Sequence, residues 1–225
     1  MEAVIDKPKN LTWLAQRLIL AELNHCFDGK ELNTEQLAEF MGYDQQALRK
    51  AINCLEGLGI AKREFRHREP YFGCYLHWNL HGKELWNAAV NLLRCPVIRH
   101  YNVVTPSDMS DFTPSTESLL AERHFAYVLR SRPVLAYRGR SHGWMNNEKH
   151  ITRTRPTAAD YIVEFWAYPP LLPGLKEMDN LSLWTALQTP RNPILALYGG
   201  ILVDQFDFDG HHDVFRRPQT RKFAG

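Results

Sequence analysis

The chain lacks several features that would have decided its class at once. Its formal net charge is only +2, from 27 Lys and Arg against 25 Asp and Glu, so the total neither demands nor forbids a polyanionic partner. No C-x-x-C pair occurs. Cys26, Cys54, Cys74 and Cys95 stand 28, 20 and 21 residues apart, a spacing that predicts plain buried thiols and no disulfide. Uninterrupted apolar runs extend only a few residues, and the opening MEAVIDKPKN has no apolar stretch behind its charges. Neither a membrane span nor a signal peptide is expected, and a cytoplasmic location follows. The phosphate-binding G-x-x-x-x-G-K-[ST] and the dinucleotide G-x-G-x-x-G are both missing, which disfavours nucleotide-driven chemistry.

What remains is ordinary globular material: 225 residues, 44% hydrophobic and 23% charged. That length suits two modest domains. It also buries enough surface that no metal or disulfide is needed to hold a core together.

In the first hundred residues, Leu11, Leu14, Leu18 and Ala21 recur at helical spacing, with Gln16, Arg17 and Glu22 away from that face. A second helix is expected to start at Asn33, with Gln36 three residues on to complete a capping box, and to stop at Gly42. Asp44 caps a third, whose stripe is Leu48, Ala51, Ile52, Leu55 and Leu58 before Gly59. Two short helices joined by so brief a turn form a helix-turn-helix. Ile60 to Arg66 and Tyr71 to Trp78 then read as two strands of a wing, and Leu85, Ala89 and Leu92 as a closing helix near Arg94. Residues 1–95 are therefore expected to be a winged helix-turn-helix domain.

Off the apolar stripe of the third helix lie Gln45, Gln46, Arg49, Lys50 and Asn53. Gln45, Gln46, Arg49 and Asn53 are of the types that pair with base edges in the major groove. Lys50, Lys62, Arg63, Arg66 and Arg68 are placed to hold phosphates, in a stretch where basic residues outnumber Asp44, Glu56 and Glu64. The alternative is a wet helix face beside a solubilised hairpin, or a winged helix that docks a protein.

Residues 95 to 112 carry two prolines and little periodicity, as expected of a connector into a second domain, residues 96–225. Thr113 and Pro114 open an expected helix with Leu120, His124, Tyr127 and Val128 on one face. Pro133 to Arg138 and Tyr161 to Tyr168 are expected strands. Helices around Leu181, Trp184 and Leu187, and from Asn192 and Pro193 to Leu202, complete an α+β fold. From Leu129 to Pro156, Arg130, Arg132, Arg138, Arg140, Lys149, Arg153 and Arg155 face Glu148 alone, and the next segment is acidic. This basic run is either a second nucleic-acid surface or the internal partner of that acidic segment.

The runs TESLLAERHFAYVLRSRPVLAYRG, IVEFWAYPPLL and DNLSLWTALQTPRNPIL resemble the C-terminal domain of the AbiEi antitoxins of bacterial type IV abortive-infection systems, which pair it with a winged-helix domain. The resemblance covers most of residues 30 to 205 and rests on apolar and proline patterns. It implies a repressor that binds double-stranded DNA of its own promoter region and counters a nucleotidyltransferase-type toxin without stable direct binding. It carries the role onto Arg49, Lys50 and Arg63, and onto Arg138 and Arg140. Gly199 and Gly200 depart from the pattern by interrupting an expected continuous final helix, and Ser141 to Arg155 matches nothing in it.

Other chemistries are weaker. Cys74, His77 and His81 have zinc-like spacing, with Cys54 a distant fourth, but Cys74 and His77 fall on opposite faces of a strand. Asp207, Asp209, His211, His212 and Asp213 read as a solvated tail. Ser141 beside His142 is a poor nucleophile-base pair, since sequence neighbours rarely face each other. Asp160 and Glu164 lack the lysine a nuclease would need. Tyr161, Phe165, Trp166, Tyr168 and Trp184 suit core packing better than a ligand pocket. No metal, cofactor or enzymatic activity is expected.

Overall fold

The structure, a computed structural model, describes residues 10–67, 72–103, 109–122, 133–139, 161–188 and 193–208. Over these the chain is a mixed α+β protein with seven α-helices and two sheets. No helix among them is long and apolar enough to cross a membrane.

Helix α1 spans Trp13–Leu23 and is capped by Thr12, whose Oγ1 accepts from Ala15 N at 3.1 Å. Helix α2, Thr34–Met41, carries the capping box: Asn33 Oδ1 accepts from Gln36 N, and Gln36 Oε1 accepts from Asn33 N. Gly42 ends it at φ 72°, a left-handed conformation that a residue with a Cβ adopts only under strain. Asp44 then caps α3, Gln45–Gly57, by accepting from Ala47 N at 2.7 Å. Strands β1, Ala61–Arg66, and β2, Gly73–Trp78, pair antiparallel with Ala61 opposite Trp78 and Phe65 opposite Cys74. Helix α4 is Gly82–Ala89, so Leu92 lies beyond its end.

The supposed connector contains a strand. β3, Val97–Val103, pairs antiparallel with β6, Tyr161–Trp166, in a sheet ordered β3-β6-β5-β4. β3 is an edge strand with its middle exposed, so its sequence shows no alternation. Thr113 and Pro114 likewise belong to the short edge strand β4, Phe112–Pro114, which is antiparallel to β5, Val134–Tyr137. An edge tolerates the missing proline N–H. Helix α5 starts afterwards, at Thr116–Glu122; His124, Tyr127 and Val128 lie outside the described residues. β5 and β6 run parallel.

Strand alternation sorts the apolar side chains of this sheet into two clusters. Val163 and Phe165 join Val103, Phe112 and Leu135 on one face. Ala136 and Trp166 face the other way, into a larger core shared with α1, α3, α4, α6 (Asn180–Leu187) and α7 (Pro193–Asp204). Tyr161, Phe165, Trp166, Tyr168 and Trp184 are thereby divided between the two clusters and do not line one pocket. Helix α7 passes through Gly199 and Gly200 without a break. At Gly199 an added Cβ would stand 3.2 Å from Trp184 Cδ1, so the missing side chain admits the close approach of α7 to α6.

The expectation for α1 needs correcting. Gln16 is 0% and Arg17 5% exposed. α1 is packed on all sides because the second half of the chain covers the face that looks polar. Gln16 Nε2 donates to Arg94 O at 2.8 Å and to Tyr168 Oη at 3.0 Å, and its Oε1 accepts from Arg94 N. Arg17 donates to Met41 O at 2.8 Å and Leu171 O at 3.0 Å. Asn24 Nδ2 donates to Asp179 Oδ1 at 2.9 Å, the carboxylate that also caps α6 by accepting from Ser182 N. Burial pushes the Asp179 carboxyl up, against the pull of these donors.

Candidate nucleic-acid interface

Helix α3 is held from one side. Leu48, Ala51, Ile52 and Leu55 are buried in the larger core, while Gln45, Gln46, Arg49, Lys50 and Asn53 are all exposed. Gln46, Arg49, Lys50 and Asn53 stand at i, i+3, i+4 and i+7, one stripe of a helix whose 1.5 Å rise separates Gln45 from Asn53 by about 12 Å. Gln45, four residues before Arg49, lies on the same exposed side, so all four residues expected to read bases share one face of α3. The turn before α3 is fixed from beneath, since the Arg17 guanidinium bonds the last carbonyl of α2 and lies 5.7 Å from the Tyr43 ring centroid.

The residues expected to hold phosphates divide into two groups. Lys50 and Lys62 are exposed and make no ion pair among the described residues. Arg63 and Arg66 are occupied. Arg63 forms a bidentate pair with Glu56 on α3, and its backbone N–H donates to Glu56 Oε1 at 2.7 Å. Partial burial pushes the Glu56 carboxyl up, but the hydrogen bonds and charge of Arg63 outweigh it and hold the group below the usual range. The Arg63 guanidinium is raised, chiefly by the same hydrogen bonds. Arg66 pairs with Glu64 at 3.2 Å and Glu31 at 3.6 Å, and stacks 4.7 Å above the Tyr75 ring. It forms part of the wall of a cleft of about 320 Å³ between the α1–α2 turn and β2, shared with Glu22, Asp28, Glu31 and Trp78. Burial raises the Glu22 carboxyl there, partly offset by its hydrogen bond with His81. Arg68 lies outside the described residues.

Of the second basic surface only Arg138 is described. It is exposed at the end of β5, and its N–H donates to Asp111 O at 2.8 Å. Arg130, Arg132, Arg140, Arg153 and Arg155 lie outside the described residues, as does the tail from Asp209 onward.

Two features were not foreseen. Glu164, on the inner strand β6, is 3% exposed and accepts from Ser115 Oγ at 2.6 Å, Thr116 Oγ1 at 2.9 Å and Trp166 Nε1 at 3.3 Å, with His100 Nε2 at 3.6 Å. Both hydroxyls donate directly to the carboxylate. The group serves as a satisfied buried anchor for the start of α5. The second feature is that Gly139 to Gly143 spells G-x-S-x-G after β5, the spacing of a nucleophile elbow around Ser141. Ser141 and its surroundings lie outside the described residues, so the spacing stands alone. No group of three or more His, Cys, Asp or Glu side chains suited to a metal occurs among the described residues.

Comparison of the chain with protein-family models, curated proteins and solved structures returned no match.

Proposed function

We propose that the chain is a sequence-specific DNA-binding transcriptional regulator in which α1 to α4 and the β1–β2 hairpin act as a winged helix-turn-helix. The observation carrying this reading is the α3 stripe, four exposed hydrogen-bonding side chains at helical spacing on a helix whose opposite face is locked into the core. Arg49 has the fork geometry for guanine O6 and N7, while Gln45, Gln46 and Asn53 suit adenine N6 and N7. Lys50 and Lys62 neutralise phosphates beside the groove. Arg63 and Arg66 shape the hairpin more than they grip DNA, because their charges are already paired.

The resemblance of the second half to AbiEi antitoxins extends the reading: the DNA is the chain's own promoter, and the operon encodes a nucleotidyltransferase-type toxin that this chain counters. The first test is a mobility shift with a duplex from the region upstream of the gene, at two salt concentrations and against unrelated competitor. Competitor-resistant binding that weakens steeply with salt is expected. No shift at low salt would remove DNA as the ligand and leave α3 and the hairpin as a protein-docking surface. The antitoxin role is tested separately, by growth rescue when the chain is co-expressed with the neighbouring toxin.

A further inference from the structure

The hairpin carries apolar side chains that neither the core nor the reading above uses. Phe65 is 67% and Phe72 69% exposed, among only five exposed large hydrophobics over the described residues. They belong together. Phe65 stands opposite Cys74, Phe72 precedes Cys74 by two positions, and the His67 ring meets the Phe72 ring edge-on at 6.3 Å. Alternation along β1 therefore sets Arg63, Phe65 and His67 on one side of the hairpin, with Phe72 across from them.

This side is continuous with the α3 stripe. Glu56 follows Arg49 by seven residues and Asn53 by three, so it continues the stripe toward the C-terminus of α3. Arg63, on the same side of the hairpin as Phe65, is the residue paired to Glu56. One surface thus runs from Gln46 through Arg49, Asn53 and the Glu56–Arg63 pair to three exposed rings. Arg49 and Lys50 are its cations without an ion pair among the described residues.

We propose that the ring cluster of Phe65, His67 and Phe72 is a base-stacking wedge that enters the minor groove next to the α3 site and unstacks one base step of duplex DNA. The inference rests on the DNA-binding reading and adds to it a deformation and a second source of sequence preference. Flat rings recognise the π-face of any base, whereas the cost of opening a step depends on its sequence. Apolar wedges are the usual means by which proteins kink DNA from the minor groove. Pyrimidine–purine steps, which open most easily, are the expected targets flanking the α3 contacts. The free cations on the same surface match a polyanion and not an apolar protein partner.

The test uses the full chain and duplexes from its upstream region carrying 2-aminopurine at successive positions. Binding of the unaltered protein should raise fluorescence at one flanking step and bend the duplex. The double substitution Phe65→Ala, Phe72→Ala should leave the thermal melt unchanged, weaken binding about tenfold and abolish both the fluorescence rise and the bend. Arg49→Ala should weaken binding but keep the fluorescence rise on duplex bound at saturation. Binding without any fluorescence rise, or a rise that survives the double substitution, overturns the wedge alone. Failure of the unaltered protein to bind DNA overturns the wedge together with the reading beneath it. Should the double substitution spare DNA binding but dissociate an oligomer, the rings are a contact between copies of the chain and the wedge is rejected.

Discussion

Helices α1 and α3 each carry glutamine and arginine beside an apolar stripe, and the two sets of side chains meet opposite fates. On α1, Gln16 and Arg17 are buried and bonded to Tyr168, Arg94, Met41 and Leu171. On α3, Gln46 and Arg49 are exposed and face solvent. The same residue types serve as internal connectors in one helix and as an exposed polar surface in the other. Polarity therefore marks the faces that must find hydrogen bonds, and the tertiary arrangement decides whether protein or solvent supplies them.

The comparison breaks most visibly at Arg17. Arg17→Met should cost about 2 to 4 kcal/mol, because it strands two carbonyls in a dry interior; urea unfolding measures it. A loss below about 0.5 kcal/mol would mean that water reaches those carbonyls. Arg49→Ala should do the converse, with stability unchanged within about 0.5 kcal/mol and specific DNA binding weaker by about 1 to 3 kcal/mol. Equal losses on specific and random duplex would show that Arg49 reads no base. The cap that starts α3 comes next: Asp44→Ala should lower stability by about 1 kcal/mol, seen as a lower melting temperature, and an unchanged melt would deny the cap a role.

The smallest effect concerns Glu56 and Arg63. The Glu56 carboxyl is depressed in the folded chain, so its stabilising effect is fully present above its unfolded pKa of about 4.3 and is lost as pH falls through the lower folded value. The pair is substantially exposed, so its worth is at most about 1 kcal/mol after solvent screening. Arg63→Ala should flatten the acid limb of stability below about pH 4 and change DNA affinity less than Lys62→Ala does. A larger affinity loss for Arg63→Ala would return that arginine to the phosphate contacts.

Much of the first half was legible because its signals are local. The Asn33–Gln36 capping box, the left-handed Gly42, the Asp44 cap and the α3 stripe each depend on residues within one or two helical turns, and all appear where the spacing put them. The second half was less legible. β3 and β4 are edge strands defined by partners over twenty residues away in the chain, and their own residues do not alternate. Gly199 was read as a break because its neighbour Trp184, which explains it, lies on another helix. The candidate site was legible in its residues, but not in which cations are free: Arg63 and Arg66 look like Lys62 until Glu56, Glu64 and Glu31 are placed beside them.

The sequence by itself determined the order of helices and hairpin in the first half and the polar stripe of α3, since caps, turns and periodicity act through the backbone within a few residues. Only the tertiary structure decided that α1 is enclosed, that the second half closes over Gln16 and Arg17, that two of the hairpin's arginines are neutralised, and that Phe65 and Phe72 remain in solvent next to the polar stripe of α3. These outcomes turn on which surfaces meet across long stretches of chain, and burial and ion pairing are properties of that meeting and not of any single segment.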